Sequence, residues 1–136
     1  QCVIPHSSGP RALTRFLEMV TRPGVVASPV CVIKDCGPEG EGLLSFPKSG
    51  TSIAIDFPVR PWTQGLIDAL NDLVVGEGGR IYLAKDTFTR RDHFAKMEPR
   101  LAEWQSIRRR WDPEGRLRSA QSERLLDLGP TKGGSP

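Results

Sequence analysis

The segment Ser52-Ile53-Ala54-Ile55-Asp56-Phe57 alternates strictly between small or polar residues and large apolar residues. Since successive side chains of a β-strand point to opposite faces of a sheet, this period predicts a strand whose large apolar side chains enter the core. Ser52, Ala54 and Asp56 are predicted to face outward. The segment therefore predicts a half-buried strand in a sheet with one covered face and one open face.

Two further strands and a helix are predicted upstream. Cys2-Val3-Ile4-Pro5 has the composition of a strand, and apolar residues between Pro10 and Pro23 recur at the spacing of an amphipathic helix. Val30-Cys31-Val32-Ile33-Lys34 is rich in β-branched residues, which predicts a second strand. This strand ends at the turn cluster Gly37-Pro38-Glu39-Gly40.

A second helix and a fourth strand are predicted downstream. The helix begins at Pro61 and ends at Gly76-Glu77-Gly78-Gly79, which turn the chain into Arg80-Ile81-Tyr82-Leu83-Ala84-Lys85-Asp86. Strand alternation places Lys85 on an apolar face and Tyr82 on the opposite face. A partly desolvated lysine at this boundary is either an ordinary surface lysine or a group directed at an anionic or electron-rich ligand.

The order strand, helix, strand, strand, helix, strand predicts an α+β fold, a ferredoxin-like split βαβ sandwich with helices on one face of an antiparallel sheet. The other face is predicted to be free. Gln1, Lys34 and Lys85 can project from it beside Ser52 and Ala54. This convergence is the main site hypothesis from the residues alone, and an ordinary solvated sheet face is the alternative.

A helical segment follows residue 86. Asp92 to Met97 predicts a short helix, and Pro99 begins a longer helix with an apolar stripe that includes Trp104 and Trp111. The tryptophans need a surface to bury against, either the sandwich or another domain. A loose tail is expected from about residue 129.

The composition limits the classes of function. A chain of 136 residues is long enough for one core with an appended segment, and its net charge of +3 is not a nucleic-acid signature. The cysteines Cys2, Cys31 and Cys36 and the histidines His6 and His93 have no metal-site spacing. The composition therefore predicts free buried thiols and no metal site.

The ends of the chain suggest a fragment. It begins with Gln1 directly before a predicted strand, so we expect it to be part of a longer protein. It has no targeting segment and no apolar run long enough to span a membrane. We therefore expect a cytoplasmic protein, and membrane association of the longer parent stays open.

Several motifs, in this order and spacing, resemble the C-terminal part of the FAD-dependent sugar and sugar-lactone oxidases of the vanillyl-alcohol oxidase superfamily. The resemblance is greatest to the decaprenylphosphoryl-ribose oxidase branch, and D-arabinono-1,4-lactone oxidase and other aldonolactone oxidases are more distant. The motifs are Gln1-Cys2-Val3-Ile4-Pro5, Leu43-Leu44-Ser45-Phe46-Pro47, Ile55-Asp56-Phe57-Pro58, Gly79-Arg80-Ile81-Tyr82-Leu83-Ala84-Lys85-Asp86, Met97-Glu98-Pro99-Arg100-Leu101-Ala102-Glu103-Trp104 and Trp111-Asp112-Pro113.

The resemblance implies the architecture of the parent protein. Residues 1–85 correspond to part of the substrate or cap domain, and residues 86–136 to a C-terminal segment that packs back on an FAD-binding domain. That FAD-binding domain lies upstream and is absent from this sequence. The resemblance thus implies oxidation of a CH-OH group of a sugar, sugar lactone or polyol with hydride transfer to flavin, and a fragment that is inactive alone.

The resemblance also assigns roles to individual residues. Lys85 matches a catalytic lysine that reaches the flavin and the substrate, and Tyr82 matches a tyrosine near the cofactor. Gln1 and Lys34 match residues of the substrate pocket. A fixed ammonium near the flavin would stabilise the negative charge that hydride transfer creates.

The third strand departs from the nearest branch of the family. Ser52 and Ala54 stand where that branch has asparagine and cysteine, and Cys36 replaces a phenylalanine. The substitutions place Ser52 and Ala54 in the implied substrate pocket but remove its thiol. They favour a different sugar or polyol over a polyprenyl-phosphate substrate.

Two other functions remain open at this point. The fold also suits a free-standing module that binds RNA or a small ligand, although Ser52, Ala54 and Asp56 provide no aromatic platform for bases. An exposed sheet face also suits an assembly module that forms a homodimer, a role compatible with that of an oxidase fragment. A sugar-type small molecule is the partner that the motifs favour, and no nucleic acid is expected.

Overall fold

The computed structural model describes residues 1–126 and residue 128, so the predicted tail from about residue 129 lies outside the described residues. The four strands are β1 Cys2–Pro5, β2 Cys31–Cys36, β3 Gly50–Ile55 and β4 Arg80–Ile81. The five α-helices of the described part are α1 Gly9–Val20, α2 Thr63–Gly76, α3 Arg91–Met97, α4 Leu101–Trp111 and α5 Ala120–Leu125. Two 3-10 turns cover His6–Ser8 and Leu83–Lys85.

The strands form one antiparallel sheet in the order β2-β3-β1-β4. Cys2 lies opposite Ile53 of β3 on one side and opposite Ile81 of β4 on the other. Because β3 is inserted between β2 and β1, the connectivity is split as the sequence predicts. The α+β fold with its antiparallel sheet is therefore confirmed.

One apolar core joins the sheet to the helices. Helices α1 and α2 pack against each other and against β1, so the alternation in β3 buries Ile53 beneath them. The buried members of the core cluster are Cys2, Ile4, Ala12, Phe16, Val20, Ile53, Leu70, Leu73, Val74, Ile81, Phe94, Met97, Leu125 and Leu126.

The C-terminal segment shares this core. Helix α3 packs against α2 and β4, and α5 packs against α3. Phe94 and Leu125 are buried in the same cluster as the sheet residues. Within the described residues, the predicted boundary at residue 85 does not separate two cores. The packing of residues 86–136 against a flavin domain stays a prediction.

Two helices near the C-terminus differ from expectation. The short α5 was not predicted; Ser119 and Ser122 begin it with reciprocal capping hydrogen bonds. Helix α4 forms at the predicted position, but its apolar stripe is mostly uncovered. Trp104 is half-buried against the core, whereas Trp111 is 84% exposed. Within the described residues, the core therefore covers one of the two tryptophans in part and leaves the other uncovered.

The fourth strand is much shorter than predicted. It ends at Ile81, and Leu83–Lys85 form a 3-10 turn in which the Lys85 amide donates to the Tyr82 carbonyl over 3.0 Å. Asp86 holds the next turn, because its Oδ1 accepts hydrogen bonds from the amide and the hydroxyl of Thr89. Strand alternation therefore does not apply to Lys85.

The thiols occupy three different environments. Cys2 is buried, and this burial raises the pKa of its thiol to about 12. Cys31 is exposed and Cys36 is half-buried, because both lie on the edge strand β2. The prediction of buried thiols is thus wrong for Cys31, although all three cysteines are free.

The described residues include neither a membrane-spanning helix nor a metal-binding cluster. None of their helices is long and apolar enough to cross a membrane. They also contain no cluster of three or more histidine, cysteine, aspartate or glutamate side chains that could hold a metal ion.

The turn from α2 into β4 predicts a contrast between two glycine-to-alanine variants. A Cβ at Gly79 would lie 2.5 Å from the Val3 carbonyl oxygen and 2.8 Å from Val74 Cγ1, whereas one at Gly65 would meet nothing within 4 Å. We expect Gly79→Ala to destabilise the fold by about 1–3 kcal/mol. Gly65→Ala, inside α2, should stabilise it by about 0.5–1 kcal/mol. Urea unfolding measures both changes, and equal effects would contradict this packing.

Candidate functional site

A pocket of about 610 Å³ opens on the sheet face opposite α1 and α2. We call it the polar-face pocket. It brings together four of the six predicted site residues: Gln1, Lys34, Tyr82 and Lys85. The other lining residues are Cys36, Leu44, Ser45, Phe46, Pro47, Arg80, Ile81, Leu83, Phe94 and Glu98.

The register of the sheet explains why these residues meet. Lys34 lies opposite Ser52, Ser52 lies opposite Val3, and Val3 lies opposite Arg80, so the four side chains cross one sheet face in a row. Gln1 directly precedes β1 on this same face. The predicted convergence of polar residues on one face of the sheet is therefore present.

Lys85 ends the 3-10 turn and lies exposed at the pocket. Its ammonium makes no hydrogen bond or ion pair with the described residues. Lys34, on the exposed strand β2, also has no such partner among them. Two cations that the described protein does not neutralise therefore line one pocket, which suits an anionic or electron-rich ligand.

Gln1 and Ser52 form a pair beside the pocket. Gln1 Nε2 donates a hydrogen bond to Ser52 Oγ over 2.9 Å. Ser52 faces the predicted side of the sheet but is only 1% exposed. The prediction that Ser52 is exposed is wrong, because neighbouring residues cover this face. Ser52 therefore fixes the Gln1 amide and does not itself line the pocket.

Ala54 is also outside the pocket lining. It lies opposite Val32 in the pairing of β2 with β3 and is half-buried. Its side chain points to the same sheet face as Ser52, two residues away. The structure therefore places Ala54 on the predicted face without bringing it to the site.

Tyr82 and Lys85 line the same pocket, although strand alternation predicted opposite faces. The prediction is wrong because the chain leaves the strand after Ile81 and turns through Leu83–Lys85. The Tyr82 amide still donates to the Gln1 carbonyl over 2.8 Å. The backbone of Tyr82 is thereby tied to the start of β1.

The face behind the pocket is not free, contrary to the sequence prediction. Arg80 and Glu98 lie on it and are 3% and 2% exposed. Arg80 Nε lies 3.5 Å from Glu98 Oε2, and Arg80 Nη1 donates to Glu39 Oε1 over 2.7 Å. The loop that carries Glu39 therefore covers part of the sheet. Neither Arg80 nor Glu98 is a site residue predicted from the sequence.

The pKa values of the two acidic residues around Arg80 are shifted in opposite directions. The hydrogen bond from Arg80 holds the pKa of Glu39 below its usual value of 4.5. Burial raises the pKa of Glu98, and one of its carboxylate oxygens has no hydrogen-bond partner. Folding therefore favours the charged form of Glu39 and the protonated form of Glu98.

A second cavity of about 190 Å³ lies on the helix side of the sheet. Its walls combine apolar residues, such as Phe16 of α1 and Ile53 of β3, with polar ones such as Asn71 of α2. Gln1 and Lys85 line this cavity as well as the polar-face pocket. Both residues therefore stand at the boundary between the two spaces.

Comparison with known proteins supports a relationship to an oxidase. The chain is 39% identical over 94 residues to decaprenylphosphoryl-β-D-ribose oxidase of Mycolicibacterium smegmatis, a match that covers 69% of this chain and 20% of that protein. The chain is homologous to part of an FAD-linked oxidase. This confirms the resemblance that the motifs predicted.

A second relative is similar over more of the chain. An uncharacterised protein encoded in the 5′ region of mprA in Streptomyces coelicolor is 32% identical over 106 residues, covering 77% of this chain and 27% of that protein. No protein-family model matches the chain. The matches span about a fifth to a quarter of the length of these curated relatives.

The opposite pKa shifts predict opposite effects of two charge-removing variants. Glu98 has a raised pKa, so it costs stability once pH rises above the unfolded value near 4.5. Glu39 has a lowered pKa, so it contributes stability above that value and loses the contribution as pH falls through its folded pKa. As pH rises from about 4 to about 7, Glu98→Gln should therefore gain stability relative to the unsubstituted protein, and Glu39→Gln should lose it.

Urea unfolding at several pH values measures both trends. The two glutamine variants control for each other, since each removes one carboxylate from the surroundings of the same arginine. Parallel pH trends for Glu39→Gln and Glu98→Gln would contradict these pKa directions.

Proposed function

We propose that this chain forms the substrate-side part of an FAD-dependent oxidoreductase that oxidises a CH-OH group of a sugar, sugar lactone or polyol. The observation that carries the proposal is the ammonium of Lys85, which has no partner among the described residues, beside Gln1, Lys34 and Tyr82 in one pocket. The similarity to decaprenylphosphoryl-β-D-ribose oxidase, which is named for a ribose derivative, supports a sugar-type substrate. FAD, when bound, accepts the hydride.

The pocket residues fit a flavin and a hydroxylated substrate. Reduction of a flavin places negative charge on its pyrimidine edge, and an unpaired ammonium is a suitable partner for that charge. The Lys85 amide donates to the Tyr82 carbonyl over 3.0 Å, and Asp86 and Thr89 hold the turn that follows, so the backbone is fixed on both sides of Lys85. Tyr82 offers an aromatic ring at the same pocket. Lys85 would therefore stabilise charge, and Tyr82 would pack against the cofactor or substrate.

Gln1 is suited to orient a substrate hydroxyl. Its Nε2 is occupied by Ser52, and no described residue donates a hydrogen bond to its Oε1. That oxygen can accept a hydrogen bond from a sugar hydroxyl. Lys34, exposed on β2 and lining the same pocket, can donate to a second oxygen. Ser52 would act by holding the Gln1 amide in place. Ala54 would act only through its small side chain on the same sheet face, next to the pocket.

We also propose that FAD is held mainly by residues outside this chain. The aligned part covers 20% of the oxidase and 27% of the second relative, which leaves room for a separate flavin-binding domain in a parent protein. The polar-face pocket would then be the roof of a site completed by that domain. By this proposal, the 136 residues alone are inactive.

Replacement of Lys85 tests its role. In the longer flavoprotein, we expect Lys85→Ala to lower kcat by about 100-fold or more, because the variant loses a cation that acts on transition-state charge. The fold should persist, since Lys85 is exposed and makes no contact of the kind that stabilises a core. The measurement is steady-state turnover with sugar and lactone substrates, with circular dichroism as a check of folding.

Lys96→Ala is the matched control, because Lys96 is an exposed lysine on α3 that does not line the pocket. Its turnover should equal that of the unsubstituted protein. If Lys85→Ala retained nearly full turnover, the catalytic role of Lys85 would be wrong.

A further inference from the structure

The loop between β2 and β3, residues 37–49, forms one wall of the polar-face pocket. Its residues Leu44, Ser45, Phe46 and Pro47 all line the pocket. The described contacts within the loop include a hydrogen bond from the Ser45 amide to the Gly42 carbonyl over 3.0 Å. The loop has no helix or strand of its own to set its position. Contacts with residues outside the loop therefore determine the position of this wall of the pocket.

Arg80 makes the contacts that reach the loop from the sheet. Its Nη1 donates to Glu39 Oε1 and to the Ser45 carbonyl oxygen. The Arg80 side chain is 4% exposed, and on its far side it pairs with Glu98. A buried guanidinium thus joins two points of the loop to the back of the pocket. Its planar fork suits several acceptors at once, which a lysine ammonium cannot reproduce in the same geometry.

A second arginine acts on the same loop from the C-terminal segment. Arg100 Nη2 donates to Glu39 Oε1 and also to the Gly42 carbonyl oxygen over 2.8 Å. Glu39 is therefore shared between two guanidinium groups. Arg100 is more exposed than Arg80, with 29% of its side chain accessible compared with 4%. Since buried ion pairs are less screened by solvent, Arg80 is the stronger of the two attachments.

The loop transmits its position to Tyr82 through an aromatic contact. The rings of Phe46 and Tyr82 have centroids 4.8 Å apart and planes inclined by 39°. Phe46 directly follows Ser45, whose carbonyl Arg80 holds, and Tyr82 lies two residues after Arg80 on the chain. Arg80 therefore fixes both partners of the ring pair, one through its side chain and the other through the backbone.

We propose that Arg80 is a positioning residue: it holds the 37–49 loop against the sheet and, through Phe46, sets the ring of Tyr82 in the polar-face pocket. Arg80 acts through these residues and need not touch the substrate. The structural half of the inference concerns this chain alone. Its consequence for turnover rests on the proposed oxidase function.

The chain offers a direct probe of the structural half. Tyr82 is the single tyrosine among 136 residues, so incorporation of 3-fluorotyrosine gives one 19F resonance that reports on its ring. We expect Arg80→Lys to shift or broaden this resonance and to increase hydrogen exchange at the Ser45 amide by at least tenfold. Phe46→Leu, which removes the neighbouring ring, should also shift the resonance. It shows what the spectrum looks like when the contact between the Phe46 and Tyr82 rings is lost.

Arg90→Lys is the matched control. Arg90 is paired with Asp68 in an ion pair that does not line the polar-face pocket. It should leave both the resonance and the exchange of Ser45 unchanged. If Arg80→Lys behaved like Arg90→Lys, Arg80 would not position the loop, and the inference would be overturned.

A second variant keeps the test decisive if Arg80→Lys does not fold. Glu39→Ala removes the carboxylate that both arginines share but leaves Arg80 beside Glu98. We expect it to shift the resonance in the same direction and to raise exchange in the 37–49 loop. An unchanged spectrum in folded Glu39→Ala would count against the inference.

Turnover in the longer flavoprotein tests the functional half. Arg80→Lys should lower kcat at least tenfold, with a smaller change in KM, while Arg90→Lys leaves both unchanged. A shifted resonance with normal turnover would overturn the role of Arg80 in the reaction and retain its role in the loop. Full turnover in Lys85→Ala would instead reject the proposed function. The 19F resonance and the hydrogen exchange of Ser45 would still decide whether Arg80 positions the loop.

Discussion

The site depends on the pairing of β1 with strands on both of its sides. Val3 lies opposite Ser52 of β3 and opposite Arg80 of β4, so the register of β1 places residues from three segments side by side. Gln1, directly before this strand, bonds to the amide of Tyr82, which follows β4, and to the hydroxyl of Ser52 in β3. A shift of one residue in the register of β1 would move the side chains of Gln1 and Val3 to the helix side of the sheet.

The charges of the site fall into two groups with different surroundings. Behind the pocket, buried Arg80 is neutralised by Glu39 and Glu98. At its surface, Lys34 and Lys85 have no partner among the described residues. The first group keeps a loop in place, and the second remains available to a ligand. The buried ion pairs thus fix a wall of the pocket, while the positive charge at the pocket opening has no counter-charge among the described residues.

Several features of the fold could be predicted from the sequence because they follow local periodicity. The alternation in residues 52–57 gives β3, and the apolar spacing before Pro23 gives α1. The end of β4 could not be predicted in this way. The turn that follows β4 receives hydrogen bonds from α5, where Gln121 donates to the Leu83 carbonyl and Arg124 to Asp86 Oδ2, each across 38 residues of sequence. The alternation rule therefore failed at Lys85 for a tertiary reason.

The site shows the same limit. Gln1, Lys34, Tyr82 and Lys85 could be proposed from motif resemblance and do meet in one pocket. The pairing of Arg80 with Glu39 could not, because the loop that carries Glu39 has no periodic pattern and its attachment spans 41 residues. Ser52 is buried beside Gln1, which lies 51 residues away in the sequence. Long-range contacts of this kind leave no signal in the spacing of neighbouring residues.

The decisive measurement is the visible absorption spectrum of the longer flavoprotein. We expect a flavin spectrum that is bleached when a sugar, lactone or polyol substrate is added without oxygen, since the substrate then reduces the flavin. A colourless protein, or a flavin that none of these substrates reduces, would contradict the assignment of the polar-face pocket to the oxidation of a sugar-type CH-OH group.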